Sequence, residues 1–222
     1  MRNNTSITFE QIKKLQNVLP NVYILHDALQ NIQDNSERTA QYIGINRDYD
    51  WYIDQSDTGK CSDVNCGPAV AVMAAKWYDK DFARTVEDAR NEIYNGGVFW
   101  FLRNIADFLE SANVPSKAHY IENSEEVLNF LDMGKIVIFA PKMEYIKTGG
   151  YSYGSDGHVI IVKGYKIFEG EAYFEVYDPG SGGQYYKDGS PAGKDRLYLA
   201  DEVIEGSLQN GIGYMTIDAP AN

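Results

Sequence analysis

The sequence predicts an α+β fold on three observations. Apolar residues up to about residue 113 recur with the helical period, and those from residue 116 onward fall in short strand-like runs. The order is helices first and strands later, not the alternation of a βαβ fold. One stretch, Cys66-Gly67-Pro68-Ala69-Val70-Ala71-Val72-Met73-Ala74-Ala75-Lys76-Trp77, is apolar on nearly every side, as a central buried helix requires. With 222 residues, 44% of them apolar, the chain can build one large core.

Residues 1–48 read as a helical N-terminal extension and 49–222 as the main domain. Thr8-Phe9-Glu10-Gln11 has the form of a capping box, Ile12, Leu15 and Leu19 follow on one face, and Pro20 closes that helix. Ile24, Leu25, Ala28, Leu29 and Ile32 predict a second amphipathic helix to about Gln33. Residues 49–65 read as an aromatic stretch and then an irregular polar loop. In the Cys66 run, Val70, Met73, Ala74 and Trp77 share a helical face, and Pro68 is tolerated in the first turn. Thr85 is the expected N-cap of a helix through Val86, Ala89 and Ile93, broken by Gly96-Gly97. Leu102, Ile105, Ala106 and Leu109 mark a core-facing helix to about Ala112-Asn113. Its aromatic start at 98–101 suits core packing or a wall that touches substrate.

Residues 117–121 predict a short strand, and 124–133 a helix capped by Asn123 or Ser124 and stopped by Gly134. Residues 135–140 read as a buried strand ended by Pro141, and 146–156 as a Gly/Tyr/Ser loop. Residues 158–165 and 172–177 form an antiparallel hairpin around Glu169-Gly170. A Gly-rich loop at 180–195, a short helix at 199–208 and a last strand at 213–217 complete the chain.

Composition narrows the partners. Twenty Lys and Arg face 32 Asp and Glu, a net charge of −12, with no basic stripe. Nucleic acid and anionic lipid surfaces are therefore disfavoured. No apolar run reaches the ~18 residues of a membrane-spanning helix. The N-terminus lacks the apolar core of a secretory signal. The chain reads as cytoplasmic as it stands, and as secreted if a signal has been removed. Two cysteines, Cys61 and Cys66, cannot make a disulfide framework. Three histidines, His26, His119 and His158, are too scattered to build a metal cluster with them. No metal or cofactor is expected, nor an assembly beyond a monomer. His26 and His119 read as surface or packing residues.

Cys66 stands at a helix N-terminus, where the macrodipole and free N–H groups favour the thiolate. A cysteine opening an apolar helix also suits plain packing. His158 opens the first strand of the hairpin, and Asp178 closes the second, just before Pro179-Gly180. A turn at Glu169-Gly170 puts both near one end of the pair, within a register that a bulge can move. The Asp can then orient the imidazole, and against Cys66 the three make nucleophile, base and orienter. Gln55 precedes Cys66 by eleven residues. Its amide can serve as an oxyanion donor beside the helix start, or can be a solvated loop group.

Cys66-Gly67-Pro68-Ala69, Gly157-His158-Val159 with Gly164-Tyr165, and Tyr177-Asp178-Pro179 together resemble the papain-like cysteine peptidases related to the bacteriocin-processing, double-glycine leader peptidases. The resemblance spans about residues 50–217 and leaves the first 45 outside. It implies a papain-like fold, with a helical part holding the Cys-bearing helix against an antiparallel sheet and a cleft between them. It implies Cys66 as nucleophile, His158 as general base and then acid, Asp178 as orienter and Gln55 as oxyanion donor, with 57–64 as an insertion ahead of the nucleophile. The implied activity is hydrolysis of a peptide or protein substrate through a thioester acyl-enzyme, without a cofactor. An amidase or acyl transferase would use the same triad, and a peptide-binding module with a spent site is the reading from another class. The loops at 146–156 and 180–195 are the expected cleft rims.

Overall fold

A seven-stranded sheet, antiparallel at every pairing, carries the fold. The structure, a computed structural model, describes residues 41–148 and 157–220. The two helices expected within residues 8–33 lie outside the described residues, as does the loop segment 149–156. The strands are β1 (Gln41–Gly44), β2 (Ser116–His119), β3 (Ile136–Phe139), β4 (Ile160–Phe168), β5 (Glu171–Tyr177), β6 (Arg196–Leu199) and β7 (Tyr214–Ile217). Their order is β2-β7-β3-β4-β5-β6, and β1 pairs with β4. Among the described residues the helices are α1 (Cys66–Tyr78), α2 (Val86–Ile93), α3 (Leu102–Ser111), α4 (Ser124–Asp132) and α5 (Ala200–Asn210).

Both faces of the sheet are covered. Ile136 and Ile138 of β3 join the core beneath α1 and α3, with Trp77, Phe108, Ile161 and Met215. Val137 and Phe139 point the other way, into a second core with Val162, Phe174 and residues of α4 and α5. This is why 136–139 reads as an unbroken apolar run. Along α1 every residue but Lys76 and Tyr78 is buried. The helix packs on α2, α3 and β4 at once, which its all-round apolar character demands.

Local chemistry sets several boundaries. Thr85 and Asp88 form a reciprocal capping box at α2: the Asp88 N–H donates to Thr85 Oγ1 at 3.1 Å, and the Thr85 N–H to Asp88 Oδ2 at 2.8 Å. Asn123, not Ser124, caps α4, its Oδ1 accepting from the Glu126 N–H at 3.0 Å. Glu169 (φ 51°) and Gly170 (φ 83°) are both left-handed, as a two-residue type I′ hairpin turn requires.

Two strands depart from the sequence reading. Residues 41–44, placed there with the helical extension, form β1 and satisfy β4 beyond the point where β3 ends. Gly164 makes this possible: a Cβ there would stand 2.3 Å from the Ile43 carbonyl oxygen, and the β4–β5 register shifts at the same place. Residues 196–199 form β6 beside β5, between the loop expected at 180–195 and the helix expected from residue 199, whose first residue the strand takes. Both are four-residue strands, too short for alternation to show. The polar loop before Cys66 forms two single 3₁₀ turns, Gln55–Asp57 and Ser62–Val64. No helix among the described residues is long and apolar enough to cross a membrane.

Candidate active site

Cys66 is the first residue of α1 and is buried. Gly67 explains itself by contact. A Cβ on it would lie 2.6 Å from Trp100 Cβ, so only glycine lets the 98–101 segment close over the start of the helix. Asn65, the residue before Cys66, is fully buried. Its Nδ2 donates to Thr58 Oγ1 at 2.7 Å, and its Oδ1 accepts from Arg90 Nε. The same Arg90 donates to the carbonyls of Val64 (2.8 Å) and Val98 (3.2 Å). A buried guanidinium on α2 therefore ties the loop ahead of Cys66 to the segment that covers it, each bond reaching an oxygen. The sequence reading did not single out Arg90. The signal was there: it shares the inward face of α2 with Val86 and Ala89, and an arginine on a core-facing stripe calls for acceptors.

His158 lies just ahead of β4 and Asp178 just after β5, whose Ile161 and Tyr177 are paired. This register brings the His158 and Asp178 side chains together: Nε2 and Oδ1 are 2.6 Å apart, with both residues buried. The carboxylate accepts from further donors, the Gly180 N–H on Oδ1 at 2.8 Å and the Tyr198 hydroxyl on Oδ2 at 2.6 Å. Tyr52 donates its hydroxyl to the Asp178 carbonyl oxygen at 2.8 Å, and the Gln55 N–H donates to the Pro179 carbonyl oxygen at 2.7 Å. The turn bearing Asp178 is thus held from below by residues 52–55.

An ionised carboxylate only accepts, so Nε2 carries the proton it shares with Asp178, leaving Nδ1 for Cys66. Burial works against charge on His158. The Asp178 carboxylate and its hydrogen bond, followed by the hydrogen bond and charge of Cys66, outweigh it and push the imidazole up to about 10. Burial likewise works against charge on Asp178, but the charge and hydrogen bond of His158, then Arg196 and the Tyr198 hydroxyl, hold its carboxyl below the usual range. The arrangement keeps a cationic imidazole beside the Cys66 sulfur at neutral pH.

Gln55 is buried, not solvated. Its Nε2 donates to the Ser62 carbonyl at 3.0 Å, and its Oε1 is buried without a hydrogen-bond partner among the described residues. The structure places this amide under the 57–64 loop and does not bring it into the cavity over Cys66. That cavity, about 220 Å³, is bounded by Phe99, Trp100, Phe101, Gly157 and Asn210 around Cys66 and His158. His119 lies away from Cys66, stacked on Tyr214 with centroids 5.1 Å apart and its Nε2 2.9 Å from Thr216 Oγ1. His26 lies outside the described residues. Cys61 and Cys66 are both free thiols. No group of three His, Cys, Asp or Glu among the described residues is placed to hold a metal ion.

The architecture and this site define a class of fold. Solved structures that share it include two peptidase-fold chains. A C39-like peptidase from Bacillus anthracis is 12% identical with a TM-score of 0.55, the match covering 82% of this chain and 100% of that one. UfSP from C. elegans is 13% identical with a TM-score of 0.56, covering 87% of this chain and 37% of that one. The fold is that of the papain-like cysteine peptidases, and identities of 12% and 13% speak for the fold alone. No protein-family model and no curated protein matches the chain.

Proposed function

We propose that this chain is a cysteine peptidase that hydrolyses a peptide bond through Cys66, His158 and Asp178. The observation that carries the reading is the buried 2.6 Å His158–Asp178 bond on an imidazole that also hydrogen-bonds Cys66, at the N-terminus of a central helix. The peptidase domain spans about 49–222, with β1 as a further strand from the preceding segment.

In this reading the Cys66 thiolate attacks the amide carbonyl carbon. N–H groups at the start of α1 receive the oxyanion, and Gln55 is a second donor once its amide leaves the Ser62 carbonyl. Collapse of the intermediate breaks the C–N bond, and His158 gives its proton to the departing amine. Water then adds to the thioester as His158 takes its proton, and the acid leaves with Cys66 restored. Asp178 holds Nε2 throughout and does not itself take the proton.

The test is a mixture of peptides digested by the chain, with new termini identified by mass spectrometry. Cys66→Ala is expected to abolish cleavage, and Asp178→Asn to weaken it less. Full cleavage by Cys66→Ala would overturn the reading. Added amine captured as a new amide would assign the same triad to acyl transfer.

A further inference from the structure

Large apolar side chains stand exposed along one wall of the cavity over Cys66. Phe99 is 43% and Phe101 69% exposed, and Tyr120 close by is 92% exposed. Phe99 and Phe101 line the cavity that holds Cys66 and His158. Leu102 belongs to that cavity and also to a neighbouring one of about 440 Å³, lined further by Arg103, Tyr120 and Tyr214. The two cavities meet at Leu102, the second lying farther from Cys66.

The backbone of this wall is held in place. Arg90 donates to the Val98 carbonyl, Trp100 Nε1 to the Tyr94 carbonyl at 3.1 Å, and the Phe101 N–H to Asn104 Oδ1 at 3.0 Å. Trp100 itself is buried against Gly67. Packing has thus consumed Trp100 and left the rings on either side of it facing water. A rigid segment that presents two phenyl rings next to a nucleophile is preorganised to bury an apolar partner.

Charge makes the partner more specific. The chain carries 32 acidic residues and a net charge of −12. Yet among the described residues neither cavity is lined by an Asp or a Glu. The charge of the His158 imidazolium is met by Asp178 at 2.6 Å, which leaves Arg103 as the cation on their walls with no described carboxylate against it. Arg103 forms no hydrogen bond or ion pair with the described residues. His119 in the second cavity adds no charge at neutral pH, because burial lowers its pKa. The overall field favours basic peptides, but the walls of this cleft carry no described carboxylate to hold them and carry Arg103, which a carboxylate can pair with.

We infer that the cleft takes an apolar–acidic peptide: a bulky apolar side chain beside the cleaved bond seats against Phe99 and Phe101, and a carboxylate further along pairs with Arg103. The carboxylate is an Asp or Glu side chain or the peptide's own C-terminus; the chemistry Arg103 recognises is the same. This inference rests on the peptidase reading of the same site.

Binding to the Cys66→Ala protein tests it without requiring cleavage. The probes are fluorescein-labelled hexapeptides in a positional set: Phe against Gly, Glu against Gln and Lys, and C-terminal acid against amide. The best Phe peptide should bind about tenfold or more tightly than its Gly counterpart, the size of effect an apolar side chain exerts in a pocket. Phe101→Ala in the same background should remove most of that preference. A carboxylate peptide should bind several-fold better than its Lys counterpart, and Arg103→Glu should reverse that order. If the C-terminus supplies the carboxylate, amidation removes the preference; if a side chain does, Glu→Gln removes it. Equal binding of Phe and Gly peptides overturns the inference, as does a Glu-to-Lys ratio that Arg103→Glu leaves unchanged, or no binding at all. Cleavage of the best binder by the unmutated chain then tests the peptidase reading separately: tight binding without cleavage sinks that reading and leaves the inference standing.

Discussion

His158 and Asp178 titrate in opposite directions, and each shift has a consequence for stability. The His158 value is raised from 6.5 to about 10, so the stability its proton brings is fully present below about 6.5 and is lost as pH rises through about 10. The Asp178 value is lowered, so its contribution is present above the ordinary carboxylate range and is lost as pH falls through the lowered value. Unfolding midpoints measured from pH 6 to 10.5 should decline more for the unmutated chain than for Asp178→Asn, whose imidazole lacks the partner that raises it. In kinetics, the alkaline limb of kcat/KM should fall near 10, not near 6.5. Tyr198 is the other residue with a specific expectation. It is fully buried and donates to Asp178 Oδ2, and burial with the Asp178 charge keeps its hydroxyl protonated. Tyr198→Phe leaves that oxygen one donor short. It should cost about 1–3 kcal/mol by denaturant unfolding and move the alkaline limb, which loss of packing alone would not do.

The helices around the site act as fixtures. Arg90 joins α2 to Asn65 and Val64 on one side and to Val98 on the other, so one side chain fixes both the loop before Cys66 and the wall facing it. Arg90→Met keeps the volume and removes the donors. It should destabilise by about 2 kcal/mol or more in urea unfolding, since buried carbonyl oxygens are left unmet. It should also slow iodoacetamide alkylation of Cys66, as the helix start loses its support. The strands show the complementary limit of local reading. The β4–β5 hairpin was legible because turn and strand signals sit side by side in 158–177. β1 was not, because four residues on a sheet edge owe their structure to Gly164 and Ile167 of β4, more than 100 positions away in sequence.

Across the whole molecule, a buried charge cluster joins segments that lie far apart in the chain. Lys163 Nζ reaches Asn46 Oδ1 at 2.6 Å, Glu175 Oε2 at 3.0 Å and Asp195 Oδ1 at 2.6 Å. Tyr42 donates to the same Glu175 oxygen at 2.9 Å. The cluster ties the 41–46 segment, the hairpin and the end of the 180–195 loop into one body, on the strands whose ends place His158 and Asp178. Lys163→Met should cost about 3 kcal/mol in thermal or urea unfolding: Glu175 and Asp195 lose this cation, while Lys166 Nζ stays 3.6 Å from Glu175 Oε1. Hydrogen exchange should then be fastest to increase in residues 41–46.

Sequence alone specified the features whose causes are local. A run apolar on every side reads as a central helix, Glu169-Gly170 as a turn, and Cys66, His158 and Asp178 as residue types able to act together where the fold brings them into contact. The tertiary structure decided what depends on distant partners: that a register shift at Gly164 admits β1, that Arg90 points inward, that the Gln55 amide goes to Ser62, and that Phe99 and Phe101 stay exposed beside Cys66. Side-chain period and turn propensity act over a few residues. Hydrogen-bond partners and burial are set by chain segments far apart in sequence, as in the 133 positions between Tyr42 and Glu175, and no local pattern encodes them.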